Sequence, residues 1–201
     1  MPLVVDYFFA PQSPWAYLGH DRFTAIAKAA GARINVLPVD LGGKVFPASG
    51  GLPLAKRAPQ RQAYRLVELA RFSAHLGLAL NPRPKFFPVA ADAAARLIIA
   101  VDEHDGSDAA MALTGALLRA VWTEERDIAD ATELAAMLTA LQLPARRLDD
   151  SRSAAVGTRY DADSQRAIDL GVFGAPSYLV DGELFWGQDR LDFLQRRLAR
   201  G

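Results

Sequence analysis

The stretch from Leu3 to Val39 constrains the fold more tightly than any other, because it spells strand, helix and strand in succession with little connecting chain. Residues 3–9, LVVDYFF, are β-branched and aromatic and predict a buried strand. Ser13 then offers an N-cap and Pro14 takes the favoured first helical position, which predicts a helix from Pro14 to about Ala30. Gly31 ends it, and residues 33–39, RINVLPV, alternate as a second strand. Two strands joined through a helix lie parallel, with a right-handed crossover. The turn at Ser13 therefore sits where a strand meets the positive end of a helix dipole.

Residues 41–59 are rich in Gly and Pro, have no period, and predict a loop long enough to carry function. Residues 61–78, RQAYRLVELARFSAHLGL, are amphipathic at helical spacing through Tyr64, Val67, Leu69, Phe72 and Leu76, until NPRPKFFP interrupts the pattern. Further helices are predicted at 89–104, 107–123, 131–141 and 161–170. Residues 175–187, APSYLVDGELFWG, predict a hairpin turning at Asp181-Gly182, with a last helix from near Asp189. The order βαβ, helical block, ββα is that of an α/β thioredoxin-like fold with an α-helical insertion. Residues 1–59 and 156–201 form the thioredoxin-like domain in this reading, and 60–155 the insertion.

The chain of 201 residues contains no cysteine, which excludes disulfides, thiolate metal sites and redox chemistry on its own sulfur. No His, Asp and Glu spacing suggests a metal. MPLVVDYFFA carries Asp6 and no basic leader, so it reads as a strand and not a signal peptide, and a cytoplasmic, membrane-free protein is expected. Formal charge is zero but uneven. From Leu41 to Ala91 eight basic residues (Lys44, Lys56, Arg57, Arg61, Arg65, Arg71, Arg83, Lys85) face one acid, Glu68, giving this segment +7 and the remainder −7. Such a segment is either a solvated face or a wall that attracts a small anion. Without overall positive charge or a binding motif, nucleic acid is not an expected partner.

Ser13 has three readings. It caps a helix; it joins a Ser-His-Asp triad; or its hydroxyl and the helix dipole together stabilise an anion above the turn. The triad is disfavoured because His20 lies about 10 Å further along the same predicted helix. If the anion is a thiolate, its pKa falls and the ligand supplies the sulfur that the protein lacks. Pro176 opens a strand, and a cis bond there would expose the Ala175 backbone to an extended peptide. Asp189 and Asp192 most simply cap the last helix, while Gln188 and Asp189 at a helix start could hold the charged amino-acid end of such a ligand.

Three motifs, SPWAYLG at 13–19, VFGAPSYLV at 172–180 and FWGQDRL at 185–191, resemble the 2-hydroxychromene-2-carboxylate isomerases. These are relatives of kappa-class glutathione transferases within the DsbA-like thioredoxin folds, and the resemblance spans nearly the whole chain. It implies a glutathione-dependent isomerase of aromatic-compound breakdown that interconverts 2-hydroxychromene-2-carboxylate and trans-o-hydroxybenzylidenepyruvate. By the resemblance, Ser13 stabilises the glutathione thiolate, Ala175 and cis-Pro176 pair with the cysteinyl backbone, and Trp186, Gly187, Gln188 and Asp189 bind the γ-glutamyl end. The thiolate adds reversibly to the conjugated substrate, permits rotation and leaves. The basic segment suits carboxylate-bearing ligands, with Lys44 and Arg57 assigned to the substrate carboxylate and Arg61 to glutathione. Relatives typically carry a glycine-asparagine pair where this chain reads ASGGLPLAKR, and an aromatic where it reads PKFFPV, so Phe86 and Phe87 are expected to line the pocket for a small anionic aromatic substrate. A kappa-like transferase and a non-catalytic binding module are the competing readings. The resemblance admits a homodimer, whose interface no feature of the chain fixes.

Overall fold

The computed structural model describes residues 3–200. Strand β1 (Val4–Phe9) lies inside a mixed sheet of order β2-β1-β3-β4 and is buried along nearly its whole length. Helix α1 (Pro14–Ala29) leads to β2 (Arg33–Pro38), which pairs with β1 in parallel, Val4 opposite Arg33 and Phe9 opposite Pro38. This is the expected βαβ unit. Asp6 survives inside a buried strand because Asn35 donates to its Oδ1 at 2.6 Å and Arg166 donates to its Oδ2.

The segment after β2 is more ordered than a plain loop. Asp40 accepts the Gly43 N–H at 2.7 Å and starts a π-helical turn, Leu41–Val45, that runs into α2 (Phe46–Ser49); a 3₁₀ turn, Leu54–Lys56, follows. Gly and Pro erase the period in the sequence, but the Asp40 cap and the fully buried Val45 hold the chain.

Helices α3 (Pro59–Leu76), α4 (Asp92–Asp105), α5 (Ser107–Trp122) and α6 (Ala131–Ala140) follow, then the unexpected single turn α7 (Arg147–Asp150) and α8 (Ala154–Asp169). The last helix of this block starts before the predicted 161, because Ser153 caps it by accepting the Val156 N–H at 3.3 Å. Gly157 and Thr158, weak helix formers, hide that start in the sequence. In α3, Leu69 is fully buried and Phe72 and Leu76 pack on the core, but Tyr64 and Val67 are 56% and 44% exposed, against the predicted apolar stripe.

Strands β3 (Ser177–Val180) and β4 (Glu183–Trp186) form the predicted hairpin, and Asp181 (φ 48°) and Gly182 (φ 82°) both take the left-handed conformation that a two-residue primed turn requires. A 3₁₀ turn, Gln188–Arg190, leads into α9 (Leu191–Leu198). β1 feeds two cores, as its alternation dictates. Val5, Tyr7 and Phe9 join the main core with Phe23 of α1, Leu97 of α4, Trp122 of α5 and Leu194 of α9, whereas Phe8 joins Leu37, Val45, Ala167 and Leu179 on the other face. Among the described residues no helix is long and apolar enough to cross a membrane.

Candidate active site

Strand register brings the three motifs to one end of the sheet. Phe8 stands opposite Ser177 in the antiparallel β1–β3 pair, which sets Pro176 and Ala175 level with Phe9 and Ala10, where the chain turns into Ser13. Ser177 in turn faces Trp186 of β4, and the Gly187 N–H donates to the Pro176 carbonyl at 2.9 Å. Because β1 and β2 are parallel, the segment carrying Lys44 and Arg57 leaves the sheet at the same end.

Ser13 is buried at the N-cap of α1. Its N–H donates to the Ala10 carbonyl at 2.9 Å, and its Oγ accepts the Ala16 N–H at 3.2 Å, so the hydroxyl hydrogen remains free to donate. The first turn of α1 holds no acid, which leaves the positive end of the dipole uncompensated. Beside it, the Oε1 of Gln12 is buried without a hydrogen-bond partner. The triad reading fails on geometry: the His20 Nε2–H donates to the Met111 carbonyl at 3.0 Å beneath α1, and burial lowers the pKa of that imidazole.

The Ala175–Pro176 bond is cis. Among the described residues, neither the N–H nor the carbonyl of Ala175 has a main-chain partner, so this stretch of backbone is available to an extended peptide. Trp186 is half exposed, tilted 4.7 Å from the Phe173 ring and lying over Gly174. Gln188, by contrast, is buried. Its Cβ lies so close to Gly19 that a side chain there would meet it at 2.7 Å, and its Oε1 accepts from Arg22 at 3.3 Å. Gln188 thus locks the C-terminal segment to α1, while Asp189 keeps an exposed carboxylate 2.7 Å from Arg190. Neither Asp189 nor Asp192 caps α9: the chain enters that helix through the 3₁₀ turn, and Asp192 pairs with Arg22 at 3.3 Å.

The basic wall divides. Lys44 pairs with Asp161 of α8 at 2.7 Å, an ion pair open to solvent. Arg71 stands 3.8 Å from Glu68. The other six form no ion pair among the described residues. The Arg57 Nε donates to the Leu52 carbonyl at 2.8 Å with the guanidinium over the Phe46 ring; burial and then the charge of Arg61 lower its pKa. Phe86 and Phe87 line a cavity of about 470 Å³ with Lys85, Pro88, Asp127 and Ala129, to which the Ser13 turn does not contribute. Phe87 also packs 4.8 Å from the buried Trp122.

The family model for the DSBA-like thioredoxin domain matches residues 4–199. The 2-hydroxychromene-2-carboxylate isomerase of Sphingobium xenophagum is 30% identical over 199 residues, 98% of this chain and 99% of that one. The chain belongs to the 2-hydroxychromene-2-carboxylate isomerase family of DSBA-like thioredoxin folds. It is thereby an isomerase. The enzyme of the same description from Pseudomonas putida is 30% identical over 209 residues, covering 98% of this chain and 95% of that one. A solved structure of 2-hydroxychromene-2-carboxylate isomerase superposes with a TM-score of 0.81 at 27% identity, covering 98% of this chain and 95% of the other.

Against that isomerase frame, sequence reasoning missed four residues at or near the site. Gln12 precedes the first recognised motif, and Phe173 lies inside the second without a role assigned to it. Arg22 sits in mid-helix, with nothing to mark that it reaches Gln188 and Asp192. Arg65 was visible only as one basic residue of eight, although its spacing four residues from Arg61 puts both on one side of α3.

Proposed function

We propose that this isomerase uses glutathione to interconvert 2-hydroxychromene-2-carboxylate and trans-o-hydroxybenzylidenepyruvate, or a similar small anionic aromatic substrate. The observation that carries the reading is the buried Ser13 hydroxyl at an uncompensated helix N-terminus, at the same end of the sheet as the unpaired Ala175 backbone, in a chain without cysteine. The residues fit the cofactor. Ala175 offers a free N–H and carbonyl to a peptide, and the orphaned Gln12 Oε1 awaits a donor. Asp189 and the exposed Trp186 would hold the γ-glutamyl end, with Gly187 and Pro176 fixing the strand end beside them. Arg61 would meet a glutathione carboxylate.

When bound, glutathione supplies a sulfur nucleophile that adds reversibly to a conjugated double bond and so permits rotation about it. Ser13 donates its hydroxyl hydrogen to that sulfur and, with the dipole of α1, favours the charged form at neutral pH. Gln188, pinned by Arg22 and Gly19, keeps the C-terminal segment in register with α1, and Arg57 draws the substrate carboxylate by its unneutralised charge.

Calorimetric titration with reduced glutathione, from about pH 6 to about pH 9, tests this, because a thiol captured as thiolate releases a proton on binding below its free pKa. The wild type should bind saturably and release protons near neutral pH. Ser13→Ala should weaken binding by about 1–2 kcal/mol, roughly tenfold, with the proton release shifted to higher pH. Equal binding and proton release by the two proteins, or no binding by either, refutes the reading.

A further inference from the structure

The basic wall contains one group whose surroundings the mechanism above leaves unused. Arg65 is half-buried on α3 with its guanidinium centred 5.0 Å from the Phe87 ring and 5.6 Å from that of Trp122. Its Nη2 is shut off from solvent with no acceptor, and no side chain or carbonyl among the described residues takes a hydrogen bond from this guanidinium. Both rings lie within cation–π range of the guanidinium. Burial and then the charge of Arg57 push it down to about 10, so it stays charged at neutral pH. A cation kept in this setting without a counter-ion is destabilising for the protein alone. An incoming carboxylate at the half-exposed side chain would supply the missing counter-charge and offset the repulsion from Arg57.

Placement favours the same end of the molecule as Ser13. Arg65 and Phe72 lie two turns apart on one face of α3, about 10 Å along the axis. Phe72 packs edge-on against Trp15, 6.0 Å between centroids, and beyond the C-terminus of α3 the Tyr17 hydroxyl donates to the Ala79 carbonyl at 2.6 Å. Trp15, two residues from Ser13, thus meets α3 at Phe72, on the face that carries Arg65.

We infer that Arg65 is the specificity-determining residue for the carboxylate of a flat, conjugated substrate, since it has no carboxylate partner of its own whereas Lys44 is paired with Asp161. This rests on the isomerase reading of the site and names the residue that selects its substrate. Arg57 and Arg61 add field; Arg65 makes the contact, its planar fork matching the two oxygens of a carboxylate.

The test is calorimetric binding of trans-cinnamate and of its neutral isostere trans-cinnamamide, in the absence of glutathione. The wild type should prefer the carboxylate by about tenfold or more. Arg65→Met should lose that preference while its melting temperature is unchanged or raised, because an uncompensated charge has gone; a merely structural arginine would lower it. Arg65→Lys should keep part of the preference, and Arg57→Gln should reduce it a few-fold, so the inference stays testable if the methionine variant fails to fold. Equal affinity for the two probes, no binding of cinnamate at millimolar concentration, or selectivity unaltered in the Arg65 variants overturns it. The glutathione titration of Ser13→Ala involves no cinnamate, so loss of the cofactor reading and loss of this one are separate results.

Discussion

Arg65 and Arg147 are both withdrawn from solvent, yet their surroundings are opposite. Arg147 is 3% exposed and saturated: its Nε and Nη2 reach Asp105 at 2.6 and 2.8 Å, and its Nη1 reaches Asp150 at 2.7 Å. Those carboxylates, the Asp105 hydrogen bond foremost, raise its pKa above the ordinary arginine value. Arg65 has two aromatic rings and no acceptor, and its pKa moves the other way. Arg159 sides with Arg147, tying α8 to Asp102 at 2.7 Å and Glu103 at 3.3 Å on α4. Burial of an arginine therefore does not state its role. A guanidinium with its carboxylates supplied by the fold joins helices; Arg65, which has none, takes a carboxylate from outside in the role proposed for it.

The strongest way to break this contrast is to delete the saturated arginine. Arg147→Ala leaves Asp105 and Asp150 without their shared cation, and loss of such a buried pair is expected to cost about 3 kcal/mol. For a chain of this size that lowers the melting temperature by roughly 6–12 °C. The preference for cinnamate over cinnamamide should be untouched. A melting temperature equal to that of the wild type, or a lost preference, would show that the two arginines do not divide the work as described.

Acid sharpens the same contrast with a smaller effect. The hydrogen bond from Arg147, the largest influence, holds the Asp105 carboxyl below its ordinary pKa in the folded protein. A carboxyl depressed on folding stabilises the native state above its unfolded pKa, about 3.9, and that contribution disappears as pH falls through the lower folded value. Denaturant midpoints should therefore drop below about pH 4 in the wild type and drop less steeply in Arg147→Ala. Arg65→Met should follow the wild-type acid limb. A parallel acid limb in wild type and Arg147→Ala would remove Asp105 as a source of the slope.

What the sequence could reveal follows the range of the interactions involved. The βαβ unit was legible because an aromatic strand, a Ser-Pro cap and an alternating strand are local signals, and the hairpin because Asp181-Gly182 suits only a few turns. That the Ser13 turn and the Ala175–Pro176 segment share one end of the sheet follows from the strand register, which no local stretch of sequence states. The ion pair of Lys44 was not legible because its partner, Asp161, is 117 residues away and nothing near Lys44 announces it. Asp189 and Asp192 looked like caps because Asp near a helix start usually is one; the intervening 3₁₀ turn hands them to Arg190 and Arg22 instead. Arg65 was hidden for the same reason as Lys44, since Phe87 and Trp122 arrive from other parts of the chain. Tyr64 and Val67 match the helical period but stay exposed, so periodicity overstated the buried face.

Salt gives the smallest and most discriminating change. Raising ionic strength from about 0.1 M to about 1 M shortens the screening length from roughly 10 Å to roughly 3 Å. The long-range pull of Arg57, Arg61 and Lys56 on an anion should fade over that range, slowing cinnamate association and weakening its binding a few-fold. The contact made by Arg65 lies against Phe87 and Trp122, where ions penetrate less, so the preference for carboxylate over amide should persist in high salt. Stability of the Arg147 cluster should hardly respond, because its pairs are within hydrogen-bond distance and already withdrawn from solvent. If instead salt abolishes the preference altogether, the carboxylate is recognised by the field of an exposed basic face, and the aromatic cradle of Arg65 contributes packing alone.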